Sequence, residues 1–334
     1  MILVTGGAGY IGCHVCLELL NAGYSVVVLD NLINSSIEGM QRVEKIARGS
    51  LNFVRGDICD RAALGKVFKC YPIDCVIHLA GLKSVAESML HPLAYYQTNL
   101  VGSVNLFTEM QASGVRRIVF SSSATVYGQP LFLPLTEEHP LIPVNPYGRT
   151  KLLVEDILRA QIEADPRWGV AILRYFNPVG AHESGMIGDD PSGIPANLLP
   201  FVAQAAVGRH ERVTVWGDDY PTLDGTGVRD YLHVVDLAVA HVRAVAHTTG
   251  SGLLEVNLGA GRGHSVLEVI AAFEEVSGRK IPLIVGSRRP GDVAISYSHP
   301  RKAQVLLGWK AERDLHAMCR DHWRWQRKNP MGYH

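Results

Sequence analysis

The side chains of this chain best placed to do chemistry together are a phenol and an ammonium in NPYGRTK, where Tyr147 and Lys151 stand four positions apart. If a helix begins at Pro146, that spacing stacks them on one face, where the charge of one acts on the proton of the other. Proline favours such a start, because its φ is already helical and its missing N–H would be unpaired in a first turn anyway. The following KLLVEDILRAQIEA has apolar residues at helical spacing. A free phenol titrates at about 10 and is a poor base at neutral pH, so a neighbouring cation that favours the phenolate makes it a useful one. The plain alternative is a surface helix in which the two residues are incidental.

A second constellation opens the chain. ILVT, residues 2 to 5, runs into TGGAGYIGCHVCLELL, where Gly6, Gly9 and Gly12 form G-x-x-G-x-x-G at the mouth of a helix, and Asp30 closes the next apolar run. A strand before the glycines, a helix after them and an acidic residue ending the second strand are the context in which such a turn binds a dinucleotide. The glycines let the backbone approach a pyrophosphate, and the helix N-terminus supplies unpaired N–H groups and a favourable dipole. Asp30 can accept hydrogen bonds from an adenine ribose and would repel a 2′-phosphate, which favours NAD over NADP. A decorative glycine turn is the alternative.

Both constellations need strands to hold them. Apolar runs at 2–5, 25–30, 51–57, 75–81, 116–123 and 169–177 are short, β-branched and nearly continuous, and helical segments separate them. Such runs suit strands covered on both faces, and the alternation predicts an α/β fold, a Rossmann-type doubly wound parallel sheet. After Asn177 the sequence turns to loops rich in Gly, Pro and Asp. The expected division is a cofactor domain over 1–177 and a smaller α/β substrate domain over 178–334, with segments such as 230–250 free to return to the first.

The composition narrows the partners. Thirty-two basic and thirty-two acidic residues cancel across 334 positions, so no net field favours nucleic acid or an anionic membrane. No apolar run approaches the roughly 20 residues of a membrane span, and MILVTGG reads as a strand and turn with no charged leader, so the expected location is the cytoplasm. The six cysteines show no framework spacing. Cys13 and Cys16 form a C-x-x-C, but zinc would need a second matched pair, so no metal is expected and the two read as small buried thiols on a helix. The tail HWRWQRK reads as a C-terminal helix packing its tryptophans.

The glycine spacing, with Tyr147, Lys151 and Ser123 at the end of the fifth run, resembles the extended short-chain dehydrogenase/reductase family. TGGAGYIG, LDNL, GDI, HLAGLKSVAES, FSSSATVYG, NPYGRTK, LRYFNPVGAH, GIPANLLP, WGDDYPTLDGTGVRDYLHVVD and NLGAG are similar, nearly from end to end, to the UDP-galactose 4-epimerases within it. That resemblance implies a base, Tyr147, activated by Lys151 and assisted by Ser123, and a transient oxidation of the sugar at C4 by NAD that stays bound. It places Gly6, Gly9, Tyr10, Ile11 and Gly12 at the pyrophosphate, and Asp30, Asn31, Asn34 and Ser35 at the adenosine ribose. Asp57 and Ile58 fall at the adenine, and Leu79, Ala80, Lys83, Asn99 and Tyr175 complete the cofactor site.

For the UDP-hexose substrate the resemblance implies Lys83, Ser123, Tyr147, Asn177, Asn197, Leu198, Trp216, Arg229, Tyr231, Arg289 and Asp292. Two arginines suit a diphosphate and an indole offers a face to uracil. Aligning GDVAISYSHP puts Ser296 beside the sugar, which implies room for N-acetylated hexoses; a one-residue slip would put Tyr297 there instead. Homodimers are common in the family, and helices at 92–112 and 148–164 are the expected contact. A sugar-nucleotide dehydratase is the near rival, but those enzymes carry an Asp-Glu pair after the residue matching Ser123, where this chain has Ala124 and Thr125. An NAD-sensing protein is the distant rival, and it would not need Ser123, Tyr147 and Lys151 together.

Overall fold

The computed structural model describes every residue except Arg48, Ser192, Ile194, Pro290 and His334. Its first half alternates strand and helix: β1 (Ile2–Thr5), α1 (Tyr10–Asn21), β2 (Val26–Asp30), α2 (Ile37–Ala47), β3 (Asn52–Arg55), α3 (Arg61–Cys70) and β4 (Cys75–His78). Then come α4 (Val85–Leu90), α5 (Pro92–Tyr95), a π-helical turn (Tyr96–Val101), α6 (Gly102–Ala112), β5 (Arg117–Ser123), α7 (Pro146–Ala164) and β6 (Gly169–Tyr175). The expected strands are all present: β1 matches its run, and the others are trimmed by a residue or a few at one or both ends.

Seven parallel strands form the central sheet, and its seventh member comes from far down the chain, β10 (Gly252–Leu258), paired in register with β6. The order is β10-β6-β5-β4-β1-β2-β3. The chain therefore reverses its direction of winding between β1 and β4, and the crevice beyond the carboxyl ends of those two strands is where ligands bind in such sheets. Alternation along the strands divides the core. Val4 and Val28 pack beneath Val15 and Leu17 of α1, whereas Leu3 and Val27 face Leu64 and Phe107 on the opposite side.

The remaining elements are β7 (Asn177–Val179), α8 (Leu198–Ala206), β8 (Val213–Trp216), β9 (Val228–His233), α9 (Val234–His247), β11 (Gly263–Ser265), α10 (Val266–Ser277), β12 (Leu283–Gly286), β13 (Ile295–Ser296), α11 (Arg301–Leu307) and α12 (Leu315–Lys328). Strand β9 pairs with β11, β13 and β7, and β8 pairs with β12. A separate core of Val179, Val202, Val215, Phe273 and Met318 supports them. Helix α9 packs instead on α1, with Leu237, Ala240 and Ala244 in the core of the large sheet. In α12 Trp325 is buried and Trp323 packs partly against Phe273, as a packed terminal helix requires. No described helix is long and apolar enough to cross a membrane.

Candidate functional site

Helix α7 begins at Pro146, and its N-cap Asn145 accepts a hydrogen bond from the N–H of Gly148 at 2.8 Å. Tyr147 and Lys151 thus occupy the first two turns on one face, with the Lys151 Nζ 5.9 Å from the centre of the Tyr147 ring. Ser123 ends β5 opposite them and contributes to the Tyr147 environment. Burial raises the Tyr147 phenol above its ordinary value, and the Ser123 hydroxyl pulls it down. Lys151 is buried and held down to about 8 by desolvation, with Glu155 opposing that fall. Its ammonium donates to the carbonyl of Ser121 at 2.7 Å. Desolvation is the largest influence on the Tyr147 phenol, and the Lys151 ammonium lies beside its ring while donating to the end of β5.

A groove lies along the carboxyl ends of β1, β2, β3 and β4; its wall includes Ser121, whose carbonyl receives Lys151, whereas Tyr147, Lys151 and Ser123 do not line it themselves. It is lined by Gly6, Gly9, Tyr10, Ile11, Gly12, Asp30, Asn31, Asn34, Ser35, Asp57, Ile58, Leu79, Ala80, Lys83 and Tyr175. Leu29, Ile33, Gly56, Gly81, Leu82, Thr98 and Ser121 line it too. The sequence reading had not singled out these seven; GDI, which contains Gly56, and the position of Ser121 two residues before Ser123 were the available signals.

The glycine turn has no room for a side chain at Gly6 or Gly12. A Cβ on Gly12 would lie 2.5 Å from the carbonyl oxygen of Gly6 and from the Cα of Gly7, and Gly6 has φ +70° with a virtual Cβ 2.6 Å from the backbone nitrogen of Ala80. The N-cap Gly9 offers no side-chain acceptor, which leaves the first N–H groups of α1 for an anion. These features fit a dinucleotide pyrophosphate. Asp30 accepts from the N–H of Ala8 at 3.0 Å, the N–H of Leu32 at 2.9 Å and the hydroxyl of Ser35 at 2.8 Å, and so anchors the far end of the groove. At Asp57 burial alone would raise the carboxyl, but hydrogen bonds from the Cys59 N–H and the Asn31 amide prevail and hold it below its ordinary value.

Asn99 lies behind the groove wall. It is buried in the π-helical turn, accepts from the N–H of Leu82 at 2.7 Å, and donates to Leu82 O at 3.0 Å and to Thr150 Oγ1 at 3.1 Å. It therefore braces the loop that carries Lys83 against α7. Across the cleft, Asp189 is pushed up by burial and pulled down by the charge of Lys83, and the Tyr10 hydroxyl donates to the carbonyl of Gly180 at 2.7 Å.

The residues expected at the sugar nucleotide fall in two adjoining groups. Asn177 pairs with Tyr231 and Ser296 with Arg229, and side chains of paired and alternate residues share a face, so all four project from one side of the β9 sheet. Tyr231 is pushed up to about 12 by burial, while the charges of Arg229 and Arg289 lower it. Arg289 in turn binds Asp292 at 3.0 Å and reaches the carbonyl of Ala196, beside Asn197 and Leu198 at the start of α8. Trp216 is 43% exposed at the end of β8, so it is not core; its ring lies over Gly286. Cys13 and Cys16 are buried free thiols on α1, raised by desolvation.

A glycine turn at the switch point of a parallel sheet, beside a tyrosine and a lysine one turn apart, defines a dinucleotide-binding enzyme of the short-chain dehydrogenase type. The model of the NAD dependent epimerase/dehydratase family matches residues 2–259, and the chain belongs to that family. It is 57% identical over 333 residues to a UDP-glucose 4-epimerase of Bacillus subtilis, covering 99% of this chain and 98% of the relative. Among solved structures, the UDP-glucose 4-epimerase of Bifidobacterium longum in complex with NAD+ and UDP is 52% identical with a TM-score of 0.98 over 99% of each chain. The UDP-Glc/GlcNAc 4-epimerase of Campylobacter jejuni is 35% identical with a TM-score of 0.84, over 98% of this chain and 99% of that one.

Proposed function

We infer that this chain is an NAD-dependent 4-epimerase that interconverts UDP-galactose and UDP-glucose through a 4-keto intermediate. The observation that supports the reading is the glycine-lined groove whose wall includes Ser121, the residue whose carbonyl receives Lys151 of the Tyr147–Lys151–Ser123 group, in a chain so similar over its full length to UDP-glucose 4-epimerases.

The groove residues hold NAD, with Gly6 to Gly12 at the pyrophosphate and Asp30 at the ribose. When bound, NAD supplies a two-electron acceptor at C4 of the sugar that becomes the donor on return. Tyr147 removes the proton of the 4-hydroxyl at its phenol oxygen and later gives it back, so it serves as base and then as acid. Ser123 hydrogen-bonds the same sugar oxygen. Lys151 holds positive charge beside the phenol and beside the cofactor ribose. Arg229 and Arg289 bind the diphosphate, Trp216 receives the uracil, and Asn177, Asn197, Leu198, Tyr231 and Asp292 fix the rest of the nucleotide sugar. Elimination, the chemistry of the rival dehydratases, has no acid here because Ala124 and Thr125 follow Ser123.

The acetylated pair, UDP-GlcNAc and UDP-GalNAc, belongs to the proposal as well. Its support is the small side chain of Ser296 on the face it shares with Arg229 and Tyr231, together with the similarity to the Campylobacter jejuni enzyme. The cofactor part is taken as residues 1–177 and the sugar-nucleotide part as 178–334, with α9 and β10 contributed back to the first. A homodimer is proposed through α5, the π-helical turn and α6 with α7, where Leu93, Val101 and Val104 are exposed apolar side chains. The proposed location is the cytoplasm, in keeping with six free cysteines.

The test is an assay of purified protein, with no added NAD, against UDP-galactose, UDP-glucose and their N-acetyl forms. Interconversion of the plain pair is expected. A protein that leaves UDP-galactose unchanged both without and with added NAD refutes the reading.

A further inference from the structure

The chemistry above makes no use of Glu155, yet this carboxylate is fully buried on α7, one turn beyond Lys151. Every acceptor direction it has is taken. Oε1 accepts from the Ser122 hydroxyl at 2.5 Å and from Arg174 Nε at 2.9 Å, and Oε2 accepts from Arg174 Nη2 at 2.6 Å and from Arg159 Nη2 at 2.7 Å. Arg174 stands on β6 and also donates to the Tyr127 hydroxyl at 3.2 Å, while Arg159 reaches Glu255 on β10. A buried ion pair contributes little net stability compared with apolar residues of the same volume. Stability alone is therefore a poor account of a saturated carboxylate here.

Its position supplies a better one. The last three residues of β5 are serines, and each has a different attachment. The carbonyl of Ser121 receives Lys151, the side chain of Ser122 points the other way into Glu155, and Ser123 faces Tyr147. The end of β5 is thus pinned to α7 at two points one helical turn apart, directly before the residue that must share a sugar oxygen with Tyr147.

Resting on the functional reading above, we propose that Glu155 is a positioning residue for the epimerase chemistry, acting through Ser122 to set Ser123 against Tyr147 and through its charge to keep Lys151 an ammonium.

The electrostatic half follows from what surrounds Lys151. From its own helix Tyr147 and Glu155 face it; from β5 the Ser121 carbonyl and the Phe120 ring, whose centre is 5.1 Å from Nζ; and from β4 His78, held neutral because burial lowers it to about 3. Arg174 lies behind Glu155. Glu155 is the anion that opposes desolvation of the lysine, and its removal leaves Arg174 as an added positive charge nearby.

Two substitutions separate the halves. Glu155→Gln keeps the size and an acceptor for Ser122 but removes the charge; Ser122→Ala removes the clasp and keeps the charge. In Glu155→Gln, kcat for UDP-galactose falls by about 10- to 100-fold with little change in KM, the signature of a weakened charge beside the reacting phenol and not of lost substrate binding. Lys151, followed by NMR of 13Cε-lysine with a Lys151→Arg spectrum to assign the signal, titrates at lower pH than in the wild type. In Ser122→Ala, kcat falls while the Lys151 titration stays where it was, and this variant carries the test if the first does not fold. Wild-type kcat in the two variants, or an unmoved Lys151 titration in Glu155→Gln, overturns the proposal. The titration needs no substrate, so wild-type protein inactive on UDP-galactose counts against the functional reading, and the NMR result still decides the charge role of Glu155.

Discussion

Replacing Ser296 by tyrosine should close the sugar pocket to acetylated substrates. Strand β13 is two residues long and pairs Ser296 with Arg229, so its side chain leaves the sheet on the face that carries Tyr231 and Asn177. Ser296→Tyr adds a phenol ring to that face, which the proposed function assigns to an N-acetyl group on C2. Inserting atoms into a packed site costs about 1–3 kcal/mol, or roughly 5- to 150-fold in kcat/KM. The expected result is a fall of that size for UDP-GalNAc, with UDP-galactose turned over nearly as before. Tyr297→Ala is the control for register. Tyr297 alternates to the other face and packs against Gly263, where a Cβ would lie 3.6 Å from its Cδ1, so its loss should leave the ratio between the two substrates alone. Coupled assays of both sugars in the native protein and the two variants decide the matter. Native protein active only on the plain pair, Ser296→Tyr with undiminished acetylated activity, or a ratio that moves in Tyr297→Ala would each refute this reasoning.

Tyr147→Phe keeps the ring and removes the ionisable group, so turnover should drop by about 100-fold or more while the fold and bound cofactor persist; near-native turnover would remove Tyr147 from the mechanism. Heat or acid denaturation of the purified protein should release NAD or NADH, since Asp30 opposes a 2′-phosphate, and recovery of NADP would overturn the cofactor assignment. Gly12→Ala forces a methyl to 2.5 Å from backbone atoms of Gly6 and Gly7; the variant should melt earlier and purify without cofactor, and retention of both properties would show that the turn tolerates a Cβ. Lys151 titrates at about 8 when folded, below its usual value of 10.5, so the unfolded chain binds more protons between those pH values and stability rises with pH across that window. The Tm advantage of Lys151→Met over the wild type should accordingly be largest below pH 8 and shrink towards pH 10.5; a gap independent of pH would mean that Lys151 is not buried as a charge.

The sequence was most legible where the signal is local. β1 matches its apolar run residue for residue, α7 starts at the proline that marks it, and the glycine turn sits where the strand-to-helix change put it. β10 has no feature in GLLEVNL that says it will return across residues 176 to 251 to pair with β6; only the register Gly252 to Gly169 reveals it. Lys151 was placed on the correct face, but its hydrogen bond to Ser121 depends on how β5 meets α7, a distance no spacing encodes. For the same reason Glu155 looked like one polar position on an amphipathic helix. Its partners Ser122, Arg174 and Arg159 come together only in three dimensions.

The pairing of β10 with β6 has a consequence for anyone who would cut this molecule. Residues 176 to 251 depart from the end of β6 and come back as the strand hydrogen-bonded to it, so they form a closed excursion between two neighbouring strands of the sheet. Ending the chain after Asn177 would strip β6 of its outer partner and bare its seven-residue, mostly apolar edge, an invitation to intermolecular pairing. It would also remove α9 from the face of α1. A fragment ending there should aggregate, and a chimera that trades sugar specificity between relatives will need its seams inside the excursion, leaving β6, α9 and β10 with the host.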